Sequence, residues 1–238
     1  MQTAVESKQQ FTAAGFEKQV VTLDMVRADP YVQAYIRRAD DQMGVLGYTE
    51  HGERHAALVS RIAYNVLARL GYPERTAELA AIAGYLHDIG NLVHRRDHPI
   101  SSALLALEEL RRMQMDPTEL ALVLGAIGSH EEESGDPVSE VSAAVIIADK
   151  SDVARTRVRD IHPSRYDEHD RVNYATISSS LRVNHERTLI SLTLEIDTQI
   201  APIMEYFELF LQRMVMARRA ALTLGCQFEL VINGTKLL

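Results

Sequence analysis

The sequence has one cysteine, Cys226, and no tryptophan among its 238 residues. A single cysteine excludes an internal disulfide framework and a zinc site built from several thiolates. Any bound metal must therefore be held by histidine, aspartate or glutamate. The chain also lacks an apolar run of about 18 to 20 residues, the length that spans a bilayer, and its N-terminus lacks the features of a signal peptide. These absences predict a cytoplasmic protein that does not associate with membranes.

Positive charge is also scarce in this chain. It carries 25 Lys and Arg against 33 Asp and Glu, for a formal net charge of −8. This balance disfavours binding to bulk nucleic acid, although a local basic patch at a phosphate site is compatible with it. Hydrophobic residues make up 46% of the chain and charged residues 24%. This composition predicts a globular protein with one sizeable core, or a domain with an appendage.

Hydrophobic periodicity divides the chain into three parts. Residues 1–23 are polar and weakly patterned and are interpreted as a lead-in. Residues 24–162 contain apolar residues at four-residue steps, for example between Leu58 and Leu70, which is typical of helices. Residues 163–238 contain two β-rich segments, a long amphipathic helix and a final strand. The sequence thus predicts a mainly α fold, a helical bundle with a small C-terminal ββαβ appendage.

Local signals predict where several helices begin and end. An aspartate followed by proline occurs at Asp29 and at Asp116, and both pairs predict a helix start, because aspartate caps the first turn and proline fits it. Gly71 is predicted to end the helix that contains Leu58. The segment 138–160 is predicted to form one continuous helix.

The C-terminal part is predicted to contain a hairpin formed by residues 174–183 and 187–196. These segments are rich in β-branched residues and are separated by polar ones. An exposed edge of this small sheet could mediate a homodimer. Residues 201–225 are predicted to form a helix whose buried face carries Met204, Phe207, Leu211 and Val215.

A cluster of metal-ligating residue types follows an apolar helical segment. Taken singly, a histidine beside a core face is more often a hydrogen-bonded structural residue. Together, such groups cost several kcal/mol apiece to bury, and no matching set of Lys or Arg lies on the same faces. A divalent cation would satisfy them, and mixed His/Asp sites usually leave positions open for water or substrate. The candidate ligands are His55, His87, Asp88, His98, His130 and Asp149.

The order of these residues, with the His-Asp pair inside "LHDIGN", resembles the HD-domain superfamily of metal-dependent phosphohydrolases over about residues 50 to 155. The resemblance implies an HD-type helical bundle. His98 and His130 would be additional ligands that suggest a second metal, with Asp88 as the bridge and as a catalytic residue. The core metal ligands that the resemblance implies are His55, His87, Asp88 and Asp149.

The resemblance also implies an activity. Members hydrolyse phosphomonoesters or phosphodiesters, often nucleotides, so we expect a small-molecule phosphorylated substrate and one or two divalent ions, namely Mn, Fe, Zn, Mg or Ni. Asn91 stands where many members have lysine, and "SHEEESGDP" differs from the signature of the cyclic di-GMP branch, which disfavours that substrate. Two alternatives stay open: a non-catalytic nucleotide- or metal-binding regulator on the same scaffold, and a di-iron oxygenase.

Further candidates lie near the proposed ligands. Glu131 could act as a general base, although its surroundings also read as a surface loop. Arg95, Arg155 and Arg157 could bind substrate phosphate through their forked donors, or form a solvated face. Asp152 could accept a hydrogen bond from a ligand or pair with Arg155 one helical turn later.

Two histidines, His51 and His55, precede the same helix. His55 shares the stripe of Leu58 and Ile62 that must face the core, whereas His51 lies one turn further out. We therefore predict His55 as the metal ligand and expect only a modest effect of His51 on turnover.

Overall fold

A computed structural model of the chain describes residues 20–160 and 162–237. The first 19 residues of the predicted lead-in lie outside the described residues. The helices are α1 (Leu23–Ala28), α2 (Pro30–Val45), α3 (Glu53–Leu70), α4 (Glu74–Leu86), α5 (His98–Arg112), α6 (Pro117–Gly128), α7 (Glu140–Lys150), α8 (Glu168–Ala175) and α9 (Ile203–Thr223). The strands are β1 (Thr176–Val183), β2 (Leu189–Ile196), β3 (Gln227–Ile232) and β4 (Thr235–Lys236). Short 3-10 helices occupy Ile89–Leu92, Arg155–Arg157 and Pro163–Arg165.

The predicted helix boundaries at aspartate, proline and glycine are confirmed. Asp29 caps α2 by accepting the backbone N–H of Tyr31 at 2.9 Å. Asp116 caps α6 by accepting the backbone N–H of Thr118 at 2.8 Å. Gly71 ends α3 with a φ of +89°, a left-handed conformation that glycine adopts without a Cβ penalty.

Helix α7 lies at the centre of the bundle and is buried from Val141 to Lys150. It packs against α3, α4, α6 and α9. Helices α3 and α4 approach each other closely, because a Cβ added at Gly84 would lie 3.2 Å from the Cα of Ser60. This layering brings the N-terminal turn of α3 and the C-terminal ends of α4 and α7 to one end of the bundle.

The C-terminal residues form a small sheet with the strand order β1-β2-β3-β4. Strands β1 and β2 form the predicted antiparallel hairpin, and α9 connects β2 to the parallel strand β3. The mainly α fold with a ββαβ appendage is therefore confirmed, with β4 as a two-residue addition. β1 is an edge strand, and the homodimer stays a prediction. Each helix within the described ranges is too short or too polar to cross a membrane.

Three local predictions were wrong. The predicted helix 138–160 ends at Lys150, and beyond it Asp152 and Arg157 make tertiary hydrogen bonds to His55 and to Glu50 O. The first hairpin strand was predicted to start at residue 174, but Tyr174 and Ala175 end α8, whose N-cap Asp167 accepts the backbone N–H of Asp170 at 2.7 Å.

The third correction concerns the buried face of α9. Met204 and Leu211, predicted to be buried, are 65% and 51% exposed. The helix is apolar over more than one face, so periodicity alone does not select the face that meets the core. The residues that α9 buries are Tyr206, Phe210, Met214, Met216, Ala217, Ala220 and Ala221.

Candidate metal centre

Six predicted ligands from five segments meet at one end of the bundle. Each lies at or near a helix end, where the backbone leaves a polar side chain free to turn inward. All six residues are buried, with exposures between 0% and 7%. They are His55 in the first turn of α3, His87 and Asp88 directly after α4, His98 at the start of α5, His130 after α6, and Asp149 near the end of α7.

His55, His87 and Asp149 form a first group, and one carboxylate oxygen of Asp88 lies beside it. The Nε2 atom of His55 lies 3.2 Å from Nε2 of His87 and 3.4 Å from Oδ1 of Asp149. Asp88 contributes its Oδ2 atom, which lies 3.6 Å from Nε2 of His55 and 3.4 Å from Nε2 of His87. His55, His87 and Asp149 offer ligand atoms that all lie within 4.8 Å of one another.

A second group lies on the other side of Asp88. The Nε2 atoms of His98 and His130 are 3.0 Å apart. The Oδ1 atom of Asp88 lies 3.2 Å from Nε2 of His98 and 3.8 Å from Nε2 of His130. Glu131 completes this group, with Oε2 at 3.3 Å from Nε2 of His98. Asp88 thus faces the first group with one oxygen and the second group with the other.

The four histidines share one orientation. In each, Nδ1 lies beside an acceptor, at 2.7 Å for Asp152 Oδ2, 2.8 Å for Gly84 O, 3.0 Å for Arg95 O and 2.6 Å for Ile127 O. A proton on Nδ1 would be donated to this acceptor, and the Nε2 lone pair would then be available to a metal. Metal-binding histidines are usually held by such a hydrogen bond from the other ring nitrogen. All four Nε2 atoms face the two groups just described.

The donor set fits two divalent cations. Ligand atoms about 2.1 Å from an ion stand about 3.0 Å apart in octahedral and about 3.4 Å apart in tetrahedral coordination. Five of the separations within the two groups, from 3.0 to 3.4 Å, lie in this range, and the distances of 3.6 and 3.8 Å from Asp88 to His55 and His130 are slightly longer. Imidazole and carboxylate ligands suit Mn²⁺, Fe²⁺ or Zn²⁺.

Asp152 holds the His55 ring through Nδ1, the nitrogen that faces away from the two ligand groups. Its Oδ2 atom accepts from His55 Nδ1 and from Arg54 NH2, both at 2.7 Å, and its Oδ1 atom accepts from Arg54 NH1 at 3.3 Å. Burial raises the pKa of Asp152, but the charge of Arg157 and the hydrogen bonds outweigh burial and keep that pKa below its usual value. Asp152 is therefore an anionic acceptor for the histidine, and it makes no pair with Arg155.

A buried ion-pair cluster lies beside Asp149. Lys150 Nζ lies 2.8 Å from Oδ2 of Asp149 and 2.9 Å from Oε2 of Glu132. Arg213 of α9 donates to the backbone oxygen of Asp149 at 3.2 Å. Burial raises the pKa of Asp149, but the charge of Lys150 outweighs burial and holds that pKa well below its usual range.

Sequence reasoning missed Glu132, Lys150 and Arg213. A signal was present for the two cations. Lys150 ends the apolar run "AAVIIAD" of a buried helix, and Arg213 interrupts the apolar run "FLQRMVM". A cation within an apolar helical face needs a partner once it is buried.

His51 lies at the edge of the centre and both of its ring nitrogens are occupied. Nδ1 donates to Thr49 O at 2.7 Å, and Nε2 accepts from Arg157 at 3.1 Å. Burial and the charge of Arg157 hold the pKa of His51 well below its usual value, so the ring is neutral. His55, whose Nε2 atom faces His87 and Asp149, stays the predicted ligand.

The structure separates the three candidate arginines. Arg95 reaches the centre, where NH1 lies 3.3 Å from Nε2 of His98. Arg157 is buried and its donors bind Asp152 O and Glu50 O. Arg155 lies away from the centre, because α7 ends before it; its Nε donates to Tyr174 O at 2.6 Å. The placement of Arg155 beside the predicted phosphate site was therefore wrong.

The two metal-ligand groups open into a cleft of about 570 Å³. Arg95, His98 and Glu131 line one side. Helices α8 and α9 supply the other side, including Asn173 and Arg213. The C-terminal appendage therefore forms part of the cleft at the candidate centre.

Comparison with known proteins places this centre in a family. Residues 52–154 match the family model of the HD domain. This segment of the chain is an HD domain. All six predicted ligands lie inside it, and HD domains belong to a superfamily of metal-dependent hydrolases. Arg213 and the sheet lie outside the matched residues.

One relative extends the comparison without adding an activity. A protein of Methanocaldococcus jannaschii described as "Uncharacterized protein MJ1020" is 36% identical over 143 residues. These residues are 49% of this chain and 53% of the relative, so the chain spans about half the length of the relative that it matches.

Proposed function

We propose that this protein is a phosphohydrolase that uses one or two divalent metal ions to hydrolyse a small phosphomonoester or phosphodiester, with a nucleotide as the favoured substrate class. The observation that carries the proposal is the convergence of four histidine Nε2 atoms on the two oxygens of Asp88. Divalent cations bound there would supply an activated water and would stabilise the charge that develops on phosphoryl oxygens.

The protein's own side chains support hydrolysis in two ways. Asp88 holds the two ligand groups together through its two carboxylate oxygens. Glu131 lies beside His98 at the cleft, and burial together with the hydrogen bond that its protonated form donates to Glu132 raises its pKa. A carboxyl group whose pKa is raised toward neutrality is suited to accept a proton from water. Glu131 is proposed as this general base or as a further ligand of the second group.

The cleft favours a small, anionic and partly aromatic substrate. Its volume of about 570 Å³ is within the usual range for small-molecule sites. Arg95 offers a forked donor for phosphate oxygens. Tyr48, which is 44% exposed, offers a ring face, and the amides of Asn173 and Gln212 offer donors and acceptors. These groups suit a nucleotide base linked to a phosphate.

The test is a substrate screen of the metal-loaded protein. Nucleoside mono-, di- and triphosphates, cyclic nucleotides and aryl phosphates are assayed with Mn²⁺, Fe²⁺, Zn²⁺, Mg²⁺ or Ni²⁺. We expect turnover that is lost on chelation, is restored by metal and is absent in Asp88→Ala. Asp41→Ala, which removes an exposed carboxylate, is the matched control. Nucleotide binding without turnover by any metal form would favour the regulator, and oxygen consumption would favour the oxygenase.

The domain boundaries, the cellular location and the homodimer are also proposals. A helical domain at residues 24–162 and an appendage at 163–238 are proposed, and the end of the family match at residue 154 supports a boundary after it. A cytoplasmic location and a homodimer joined through the sheet edge are proposed from composition and from the edge position of β1.

A further inference from the structure

Three charged side chains lie behind the first ligand group and come from three different segments. Glu132 follows the His130 ligand, Lys150 ends α7, and Arg213 lies in α9 of the appendage. Glu132 binds Lys150 at 2.9 Å, and Arg213 Nε lies 3.2 Å from the Oε1 atom of Glu132. Arg213 NH2 also lies 3.7 Å from Oδ1 of Asp149. Two cations therefore share two carboxylates in this cluster.

The charge balance of the cluster changes if Asp149 is a metal ligand. This step rests on the proposed function. The Asp149 carboxylate would then neutralise the metal, and Glu132 would be the remaining carboxylate within 4 Å of both cations. Lys150 makes the shorter contact with Glu132, so Arg213 would hold one positive charge without a full counterion. A buried charge of this kind is costly unless an anion pairs with it.

The guanidinium of Arg213 makes one hydrogen bond among the described residues, from NH2 to the backbone oxygen of Asp149. Its Nε atom is buried and, although close to Glu132, is not aligned for a hydrogen bond with any group among the described residues. The guanidinium lies over the ring of Phe210, 5.1 Å from the ring centroid, which holds its plane. Arg213 lines the same cleft as His98 and Asp149. It is thus pre-oriented beside the metal-ligand groups.

We propose that Arg213 binds a phosphate oxygen of the substrate at this centre, so that the C-terminal appendage completes a site whose metal ligands all lie in the HD domain. A guanidinium suits this role because it stays charged and presents forked donors that match phosphate oxygens. Lys150 neutralises Glu132 and leaves Arg213 for the substrate. The site therefore selects a phosphorylated ligand through a residue outside the family match.

The test measures binding of inorganic phosphate to the metal-loaded full-length protein by calorimetry. Arg213→Ala is expected to weaken phosphate binding at least tenfold while the metal content, measured by elemental analysis, stays unchanged. Arg218→Ala is the matched control, because Arg218 lies on the same helix and is exposed. We expect Arg218→Ala to bind phosphate as the wild type does.

Three results would overturn the inference: unchanged phosphate binding in Arg213→Ala, equal losses in both variants, or a loss explained by lost metal. If Arg213→Ala fails to fold, Arg213→Lys keeps the buried charge but removes the fork, and phosphate binding at wild-type strength in that variant would refute the role. A wild-type protein that binds phosphate through Arg213 but hydrolyses no phosphoester would refute the proposed function and leave this site standing.

Discussion

Replacing Asp152 with asparagine tests whether the acceptor behind His55 controls metal binding. Asp152 Oδ2 accepts from both His55 Nδ1 and Arg54 NH2, while Oδ1 accepts from Arg54 NH1. Asparagine has the same shape but only one acceptor oxygen. In either orientation its NH2 group meets a donor: Arg54 NH1 in one case, or both Arg54 NH2 and His55 Nδ1–H in the other.

The magnitude follows from these contacts. One hydrogen bond to a charged group, worth about 1.5 to 3 kcal/mol, is lost or reversed. If the amide NH2 faces His55, the imidazole must move its proton to Nε2, the atom that would bind the metal. Loss of an outer hydrogen-bond partner typically lowers metal affinity about 10- to 100-fold, which corresponds to about 1.4 to 2.7 kcal/mol. We expect Asp152→Asn to fall in this range.

The assay is competition for Zn²⁺ or Mn²⁺ with a chromophoric chelator, with circular dichroism to verify the fold. Asp41→Asn is the control, because it makes the same chemical change at an exposed aspartate. Metal affinity of Asp152→Asn within about twofold of wild type would refute the idea that this hydrogen bond orients a ligand.

Two further predictions concern the first ligand and the start of α2. His55→Ala is expected to lower metal affinity at least tenfold in the same chelator assay, whereas His51→Ala keeps the metal, because both of its nitrogens already have partners; equal losses would contradict this assignment. Asp29→Ala is expected to cost about 1 to 2 kcal/mol of unfolding free energy at pH 7, measured with urea, because Asp29 caps α2 and pairs with Arg112. Burial raises the pKa of Asp29, but the hydrogen bonds from Arg112 and from backbone amides outweigh burial and lower that pKa. The stabilisation of the fold by Asp29 is therefore present above the pKa of the unfolded state and is lost as the pH falls through the pKa of the folded state. A difference from wild type that grows in acid would contradict this sign.

Much of the fold could be predicted from the sequence, because the residues that determine these elements are close together in the chain. Asp29 and Asp116 cap the helices that follow them through hydrogen bonds that span two or three residues. The stripe from Leu58 to Leu70 marks α3, and Gly71 ends it in a left-handed conformation. The same holds for the hairpin, whose two strands adjoin in the chain.

The end of α7 could not be predicted from the sequence, because it depends on contacts with residues that are distant in the chain. Residues 151–160 continue an acceptable helical pattern, but Asp152 turns toward His55, 97 positions away in the chain. Arg157 fixes the new direction by donating to Glu50 O. Helix propensity differs by less than about 1 kcal/mol for most residues, so such buried polar contacts override it. The misplacement of Arg155 follows from this.

The sequence by itself determined which residue types stand in which order: histidine and aspartate at helix ends, within an otherwise apolar bundle. Only the tertiary structure decided how they are used. The division of Asp88 between two ligand groups depends on packing α3, α4 and α6 against α7, and on packing α5 against α6. The contact between Arg213 and Asp149 spans 64 positions and depends on α9 docking against α7. Periodicity reports the face that a residue occupies, whereas the pairing of buried charges depends on which segments meet in space.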